Sequence, residues 1–211
     1  MQRRSFLVGV AGVAAVAVAR PARADDVADA LAEITRARAG LQTLVAPFTQ
    51  ERTIGLLATV VKSEGEMTLV RPDRLRWELR PPDAITYWIT PEGLAYASPG
   101  GGGSVGKGAV GRFGAVLGDL MTLLGGDLAT LRARYDLSVP SRDGGLVLLA
   151  RPTADEVKKH VTSLRLAVAP DLWTVRRIEI EEVGGDRSVI TFTRVARDGK
   201  VDAAKMAPPK R

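Results

Sequence analysis

The sequence predicts a mainly β protein of the α+β class, with about 9–11 antiparallel strands in one strongly curved sheet or open barrel. Three observations lead to this prediction. Apolar and polar residues alternate over short segments from about residue 48 onward, turn-forming residues separate these segments, and two other segments repeat their apolar residues at helical spacing. With 211 residues and a 45% apolar composition, the chain has the size and the core material of one domain.

The predicted elements begin with an amphipathic helix near the start of the mature chain. Val27, Leu31 and Ile34 fall near one face of this helix, acidic residues precede them, and Gly40 follows as a stop. The pattern then changes to a period of two, which predicts half-buried strands. In this part of the chain the strands are expected at 65–69, 75–79, Ile85–Thr90 and Leu94–Ser98.

The glycine-rich segment 99–111 is expected to be a flexible break between the strands. A second amphipathic helix is predicted from Phe113 to Leu124, ended by Gly125-Gly126, with 127–134 as a short continuation. Its apolar arc is wide, so this helix either fills a core or lies as a lid over a hydrophobic concavity. Further strands are expected at Tyr135–Val139, Leu146–Ala150, Val161–Val168, Trp173–Glu182 and Ser188–Val195.

The first 24 residues have the pattern of an export signal. Arg3-Arg4 precedes the apolar run Phe6–Ala19, and Ala22-Arg23-Ala24 resembles a cleavage site. This pattern predicts a cleaved signal peptide of the twin-arginine type over 1–24, a single domain over 25–211, and a periplasmic protein. Cleavage would reduce the formal net charge from +6 to +2, since 26 basic and 24 acidic residues remain, so a nucleic-acid partner is not expected.

Little in the sequence indicates catalysis, and we expect no enzyme activity, cofactor or metal. His160 is the only histidine, and there is no Gly-x-Ser-x-Gly nucleophile elbow. The absence of cysteine excludes disulfides, thiol nucleophiles and Cys-ligated metals. The segment 101–108 approaches a phosphate-binding loop, but Gly108 stands where that loop needs Ser or Thr. A binding protein is therefore favoured over an enzyme.

Three segments carry a resemblance to a known family. They are Phe48-Thr49-Gln50, the block from Gly65 to Trp77 that contains Arg71-Pro72, and Val-Asp-Ala-Ala-Lys at 201–205. The chain resembles the periplasmic lipoprotein carriers, the LolA-like family, whose pattern is Phe-Thr-Gln followed by Gly-x-Leu-x-Val-x-Arg-Pro-x-x-Phe-x-Trp. The resemblance implies an unclosed antiparallel β-barrel with an inserted helical lid over a hydrophobic cavity.

The resemblance also implies a function. A monomeric carrier would bind the acyl chains of lipoproteins or other lipids and transfer them from the inner to the outer membrane. Its partners would be an inner-membrane ATP-driven releasing complex and an outer-membrane receptor or acceptor. Two alternatives stay open: a dedicated carrier of another amphiphile, such as a glycolipid or aryl-polyene-type lipid, and an envelope-stress regulator with a related half-barrel.

Site residues follow from the same resemblance. Arg71 matches the arginine that hydrogen-bonds to the lid and holds the empty cavity closed, a role suited to a guanidinium fork facing helix-end carbonyls. Leu75 takes the position of the family's Phe near the cavity mouth. The residues expected to line the lipid-binding cavity are Phe48, Met67, Leu69, Leu75, Trp77, Trp88, Phe113, Leu117, Leu120 and Leu124.

Overall fold

The computed structural model describes residues 24–57, 59–106, 112–125 and 128–208. The predicted signal peptide lies, up to residue 23, outside the described residues. The described helices are α1 (Ala24–Ala37), α2 (Arg112–Gly125), α3 (Leu128–Arg132) and α4 (Asp155–Lys158). None of these helices is both long enough and apolar enough to cross a membrane.

Twelve strands are present in the described parts of the chain, and all belong to one sheet. They are β1 (Thr43–Ile54), β2 (Thr59–Val70), β3 (Arg74–Leu79), β4 (Ile85–Thr90), β5 (Gly93–Ser98), β6 (Gly101–Gly106), β7 (Tyr135–Ser141), β8 (Leu146–Pro152), β9 (Val161–Val168), β10 (Val175–Glu182), β11 (Arg187–Phe192) and β12 (Ala196–Arg197). Short 3-10 turns follow β1 at Gly55–Leu57 and end the described chain at Ala203–Met206.

The strand order leaves the sheet unclosed. It runs β6-β5-β4-β3-β2-β1-β11-β10-β9-β8-β7, with β12 also paired to β1, and the paired strands are antiparallel. The edge strands β6 and β7 are not paired with each other. The predicted fold class, an open curved antiparallel sheet with a few helices, is therefore confirmed.

Three details differ from the sequence-based expectations. Residues 101–106, expected to be part of a flexible break, form strand β6 and pair in register with β5; residues 107–111 lie outside the described residues. The described strands number twelve rather than the expected 9–11, since β6 and the two-residue β12 add to the sheet. Helix α4 was not predicted, because four residues are too few to show a helical period.

The core lies on one face of the sheet. Cross-strand register places Ala46, Met67, Trp77 and Tyr87 side by side on that face, because directly opposed residues in an antiparallel sheet point the same way. Helices α1 and α2 contribute buried residues to the same cluster, including Ile34 from α1 and Leu120, Leu123 and Leu124 from α2. The sheet thus has a concave inner face that two helices partly cover.

Candidate functional site

A cavity of about 440 Å³ lies on the inner face, beside the part that the helices fill. Strands β1, β2, β3, β4, β10 and β11 form its walls, and α2 contributes Leu120. The cavity extends along the half of the β1–β2 hairpin that is farther from α1. Its apolar lining consists of Ile54, Val61, Trp77, Leu79, Tyr87, Leu120, Ile180 and Ile190.

The cavity also has a polar side. Gln50, Ser63, Asp83, Ser188, Arg52 and Glu182 line it. The Arg52 guanidinium donates to Asp186 at 3.0 Å and lies 3.6 Å from Glu182, while the Ser63 hydroxyl donates to Asp83. These charges are already partnered within the protein. The lining is therefore amphipathic, which suits a ligand that has both an apolar chain and a polar group.

Arg38 holds the covering helix α2. Its Nη1 donates to the carbonyl of Leu123 at 2.6 Å and to that of Leu124 at 3.3 Å, in the last turn of α2. The carbonyls at a helix C-terminus have no partners within the helix, so a cationic donor satisfies them and interacts favourably with the helix dipole. Arg38 is only 2% exposed, and this burial lowers its pKa to about 10, which leaves the guanidinium protonated at neutral pH.

Arg71 is linked to α2 through Arg38. Its Nη1 donates to the carbonyls of Arg38 at 2.7 Å and Leu41 at 3.2 Å, in the turn that follows α1. No hydrogen bond between Arg71 and α2 is found among the described residues. The direct lid contact expected of Arg71 is therefore made by Arg38, and Arg71 positions the backbone from which Arg38 reaches α2.

The sequence contained a signal for Arg38. It stands at helical spacing from Val27, Leu31 and Ile34, on the stripe that is otherwise apolar and buried. A charged residue on such a stripe is seldom buried unless it has a specific partner. That partner comes from residues 85 and 86 positions later in the chain, which a local pattern does not reveal.

Asp119 provides a second attachment of α2. Its carboxylate accepts hydrogen bonds from the Tyr135 hydroxyl and from Arg134, at the start of β7. Burial raises the pKa of Asp119, and burial together with the Asp119 hydrogen bond raises the pKa of Tyr135. Helix α2 is thus held to α1 by its C-terminal carbonyls and to β7 by a buried carboxylate.

The structure places eight of the ten predicted lining residues in three environments: the cavity wall, the packed core and the convex face of the sheet. Trp77 and Leu120 line the cavity. Leu124 belongs to the packed core, as do Phe48, Met67, Leu69 and Leu75, and the Phe48 ring stacks on Trp77 at 4.2 Å between centroids. Phe113 and Leu117 lie within α2, and their side chains are outside the described residues.

The structure corrects the prediction that Trp88 lines the cavity. It pairs with Arg76 across β3 and β4, whereas its neighbour Ile89 pairs with Leu75 and belongs to the core cluster. Trp88 therefore points to the opposite, convex face, where its indole N–H donates to the carbonyl of Lys205 at 2.8 Å. It does not line the cavity. The sequence predicts this strand, but its pattern does not show which of the two faces of the strand is turned toward the core.

Several lining residues were not among the predicted site residues. Ile54 and Val61 lie at the far end of the β1–β2 hairpin, and Ile180 and Ile190 come from strands more than 100 residues later. Their alternation with polar residues indicated strands, but only the pairing of β1 with β11 brings the two halves of the cavity together. Among the described residues, no group of three or more His, Asp or Glu side chains is arranged to hold a metal ion.

An open curved sheet with a helix across its concave face is the architecture expected of the LolA-like family. Residues 39–88 match the family model described as "Outer membrane lipoprotein carrier protein LolA". This segment covers β1 to most of β4 and includes Arg71 and Trp77. Residues 39–88 are thus similar to the LolA family, as the motifs in this part of the chain predicted. No curated protein sequence matches the chain.

Comparison with solved structures finds similar chains at low sequence identity. An uncharacterised conserved protein from Thermus thermophilus is 10% identical, with a TM-score of 0.53, over 87% of this chain and 94% of its own. A LolA superfamily protein from Nitrosomonas europaea is 8% identical, with a TM-score of 0.43, over 86% and 97%. A chain of the Pseudomonas aeruginosa MucA/MucB complex is 16% identical, with a TM-score of 0.45, over 86% of this chain and 61% of its own.

Proposed function

We propose that the protein is a periplasmic carrier that binds the acyl chains of lipoproteins in the cavity beside α2 and moves them from the inner to the outer membrane. Two facts support the proposal. Residues 39–88 match the lipoprotein-carrier family, and the chain begins with the sequence pattern of an export signal. A binding protein of this kind needs no catalytic group.

The observation that carries the proposal is a cavity with an apolar wall beside helix α2, which Arg38 and Asp119 attach to the rest of the fold by hydrogen bonds. Moving an acyl chain out of water gains about 0.8 kcal/mol per methylene, so a carrier must offer a comparable apolar surface. Trp77, Leu79 and Ile190 provide part of that surface. Because Arg38 and Asp119 attach α2 through exchangeable hydrogen bonds, the helix can be displaced and restored, which would allow cargo to enter and leave.

The size of the cavity favours a second candidate, a carrier of a single amphiphile such as a glycolipid. Pockets for one small ligand have volumes of about 300–1,000 Å³, and this cavity has about 440 Å³. Its polar side, with Gln50, Arg52 and Ser188, would face a headgroup. A triacylated lipoprotein would need additional space, which displacement of α2 from the core could supply.

In the proposed pathway an inner-membrane ATP-driven releasing complex would supply the lipoprotein and an outer-membrane receptor would accept it. Both partners are carried over from the family resemblance. The cargo distinguishes the two candidates, since a general lipoprotein carrier must accept several acyl chains at once, whereas a dedicated lipid carrier need not.

The test is displacement of an environment-sensitive fluorescent fatty acid from the protein by a triacylated lipopeptide or by single-headgroup lipids. We expect the lipopeptide to compete best. Leu79→Arg should weaken probe binding by about tenfold or more, because it places a charge against the apolar wall. Val105→Arg, an exposed position on β6, is the matched control.

The outcomes separate the candidates. Competition by lipids but not by the lipopeptide would replace lipoprotein carriage with the single-amphiphile function. Equal loss of probe binding in Leu79→Arg and Val105→Arg would show that the probe does not occupy this cavity. An absence of probe binding in the unmodified protein would contradict both carrier functions.

A further inference from the structure

An exposed apolar surface lies where two hairpins end at the same side of the sheet. Leu56 and Leu57 in the β1–β2 turn are 92% and 66% exposed, and Val60 at the start of β2 is 51% exposed. Val183, in the turn between β10 and β11, is 47% exposed. We call these four residues the apolar tip. A folded domain does not gain stability from such side chains in water, so their grouping requires another explanation.

The two turns of the apolar tip are joined to each other. The Gly55 amide donates to the Asp186 carboxylate at 3.0 Å, and the Gly55 position is so close to Gly185 that an added Cβ would stand 2.8 Å from its backbone. Arg52 also donates to Asp186 at 3.0 Å. These contacts hold the leucines in a fixed projection from the end of the sheet.

We propose that the apolar tip inserts into the surface of a lipid bilayer. Four side chains present a small and convex area, whereas a stable protein–protein interface needs about 800 Å² on each partner. A fluid bilayer adapts to a convex projection and accepts exposed leucines and valines at its interface. The stretch 53–61 contains no charged residue. In the second turn, the side chains of Glu182 and Asp186 are 12% and 23% exposed and lie 3.6 Å and 3.0 Å from Arg52, so their charges are compensated within the protein beside the inserted side chains.

The residues that flank the tip agree with insertion. Lys62 and Arg52 are the first charged residues on either side of the uncharged stretch. Lys62 lies 2.8 Å from Glu51 and is exposed at the level where lipid headgroups would begin, whereas Arg52 faces the cavity and pairs with Asp186 at 3.0 Å. Charged side chains at that level remain in water while the apolar ones are buried.

The apolar tip continues into the cavity. Ile54 precedes the tip and Val61 follows it in sequence, and both line the cavity. Val61 is 40% exposed, so the cavity wall reaches the surface beside the tip. An acyl chain that leaves a bilayer at this point could enter the cavity along apolar side chains without crossing water. The role of the apolar tip in cargo entry therefore rests on the proposed carrier function. Insertion of the apolar tip into a bilayer can be measured separately from that function.

The experiment uses the natural absence of cysteine from the chain. Leu56→Cys, labelled with the polarity-sensitive fluorophore NBD, is mixed with vesicles of phosphatidylethanolamine and phosphatidylglycerol. Val105→Cys, carrying the same label at a 39% exposed aliphatic position on edge strand β6, is the matched control. We expect a blue shift and an emission increase of about twofold or more at position 56, quenching there by brominated lipid, and no change at position 105.

A second variant tests the contribution of the neighbours. In the Leu56→Cys background, Leu57→Ser with Val60→Ser should weaken the vesicle response by about tenfold, because two apolar side chains are lost from the inserted surface. Neither residue lines the cavity, so binding of the fluorescent fatty acid should be unchanged and would report that the fold is intact.

The proposal is overturned if vesicles leave the label at position 56 unchanged, or if labels at 56 and 105 respond equally. An unchanged vesicle response in the Leu57→Ser, Val60→Ser variant would overturn it too. A protein that inserts its tip but binds no fatty acid would contradict the carrier function and leave this proposal standing.

Discussion

At the scale of single residues, Arg38 is the side chain on which the position of α2 most depends. Its guanidinium satisfies two carbonyls at the end of α2 from a buried position. Replacing it with Met would retain the apolar stem and leave those carbonyls without their donor, which costs about 1–3 kcal/mol. We predict that Arg38→Met lowers the free energy of unfolding by this amount, measured by urea denaturation, and accelerates binding of the fluorescent fatty acid.

The matched control for this prediction is Arg36→Met, in the last turn of α1. Arg36 is exposed and stands two residues earlier, so its replacement removes the same charge without touching α2. Exposed charges contribute about 0–1 kcal/mol, and the unfolding free energy should change little. Similar effects of the two substitutions would show that net charge, and not the bond to α2, is responsible.

Arg71 acts on α2 through Arg38, which gives a second prediction. Arg71→Leu removes the donor to the carbonyls of Arg38 and Leu41 and should loosen the turn from which Arg38 reaches α2. The effects of Arg71→Leu and Arg38→Met on the unfolding free energy should therefore be less than additive, with a coupling of about 0.5–3 kcal/mol, in a double-mutant cycle. Strict additivity, or unchanged probe binding in Arg71→Leu, would contradict the role of Arg71 in positioning the lid.

At the scale of elements, the attachment of α2 to β7 should depend on pH. Burial raises the pKa of Asp119 above its ordinary value of 3.8, so the folded protein retains this proton at pH values where the unfolded chain has lost it. Stability from this group is complete below the unfolded pKa and is lost as the pH rises through the folded pKa. We predict that the stability of the protein relative to Asp119→Asn decreases as the pH increases from about 4 toward neutrality.

Urea denaturation of both proteins between about pH 4 and pH 8 measures this difference. Asn is nearly the same size as Asp and retains an oxygen that can accept the Tyr135 hydrogen bond, so the comparison isolates the titration. Carboxylates whose pKa is lowered, such as Asp198, titrate equally in both proteins and cancel. A difference that stays constant, or that grows with pH, would contradict the assignment.

The elements that the sequence predicted well are those whose two faces meet different environments. In β3, Leu75 and Trp77 are buried while Arg74 and Arg76 are partly exposed, so the alternation in the sequence reports the alternation in burial. Strand β6 has no such contrast, because its residues are mostly exposed glycines. It is a strand because the β5 backbone offers it hydrogen bonds, and side-chain patterns do not record backbone pairing.

The candidate site was harder to predict than the fold. Motif residues such as Phe48 and Leu69 were found, but they pack in the core, while the cavity is lined by the less distinctive Ile180 and Ile190. The register of β1 against β11 brings these residues to the cavity. Arg38 and the carbonyls of α2 are likewise joined only by the tertiary fold. The cavity lining and the Arg38 bond to α2 both depend on contacts between residues far apart in the chain, and the local patterns of a single sequence do not show such contacts.

At the scale of the whole molecule, the concave face is divided into a filled part and an empty part. The helices α1 and α2 pack against the inner face near the first half of β1, and the cavity occupies the second half, toward the apolar tip. Leu120 belongs to both parts, since it is buried in the core and also lines the cavity. Enlarging the cavity on this side therefore requires α2 to move away from the bonds made by Arg38 and Asp119.

This division predicts different responses to small and large cargo. A single-chain fatty acid fits a cavity of about 440 Å³ and should slow hydrogen exchange in the cavity strands without changing exchange in α2. A triacylated lipopeptide needs more space and should displace α2, so that amides of α2 and of the turn at 38–42 exchange faster even though a ligand is bound. Strands β8 and β9, away from the cavity lining, serve as the internal control. If both ligands slow exchange in the cavity strands and in α2 alike, the cavity accepts cargo without movement of α2. If only the fatty acid makes the amides of α2 exchange faster, the helix opens for reasons other than cargo size.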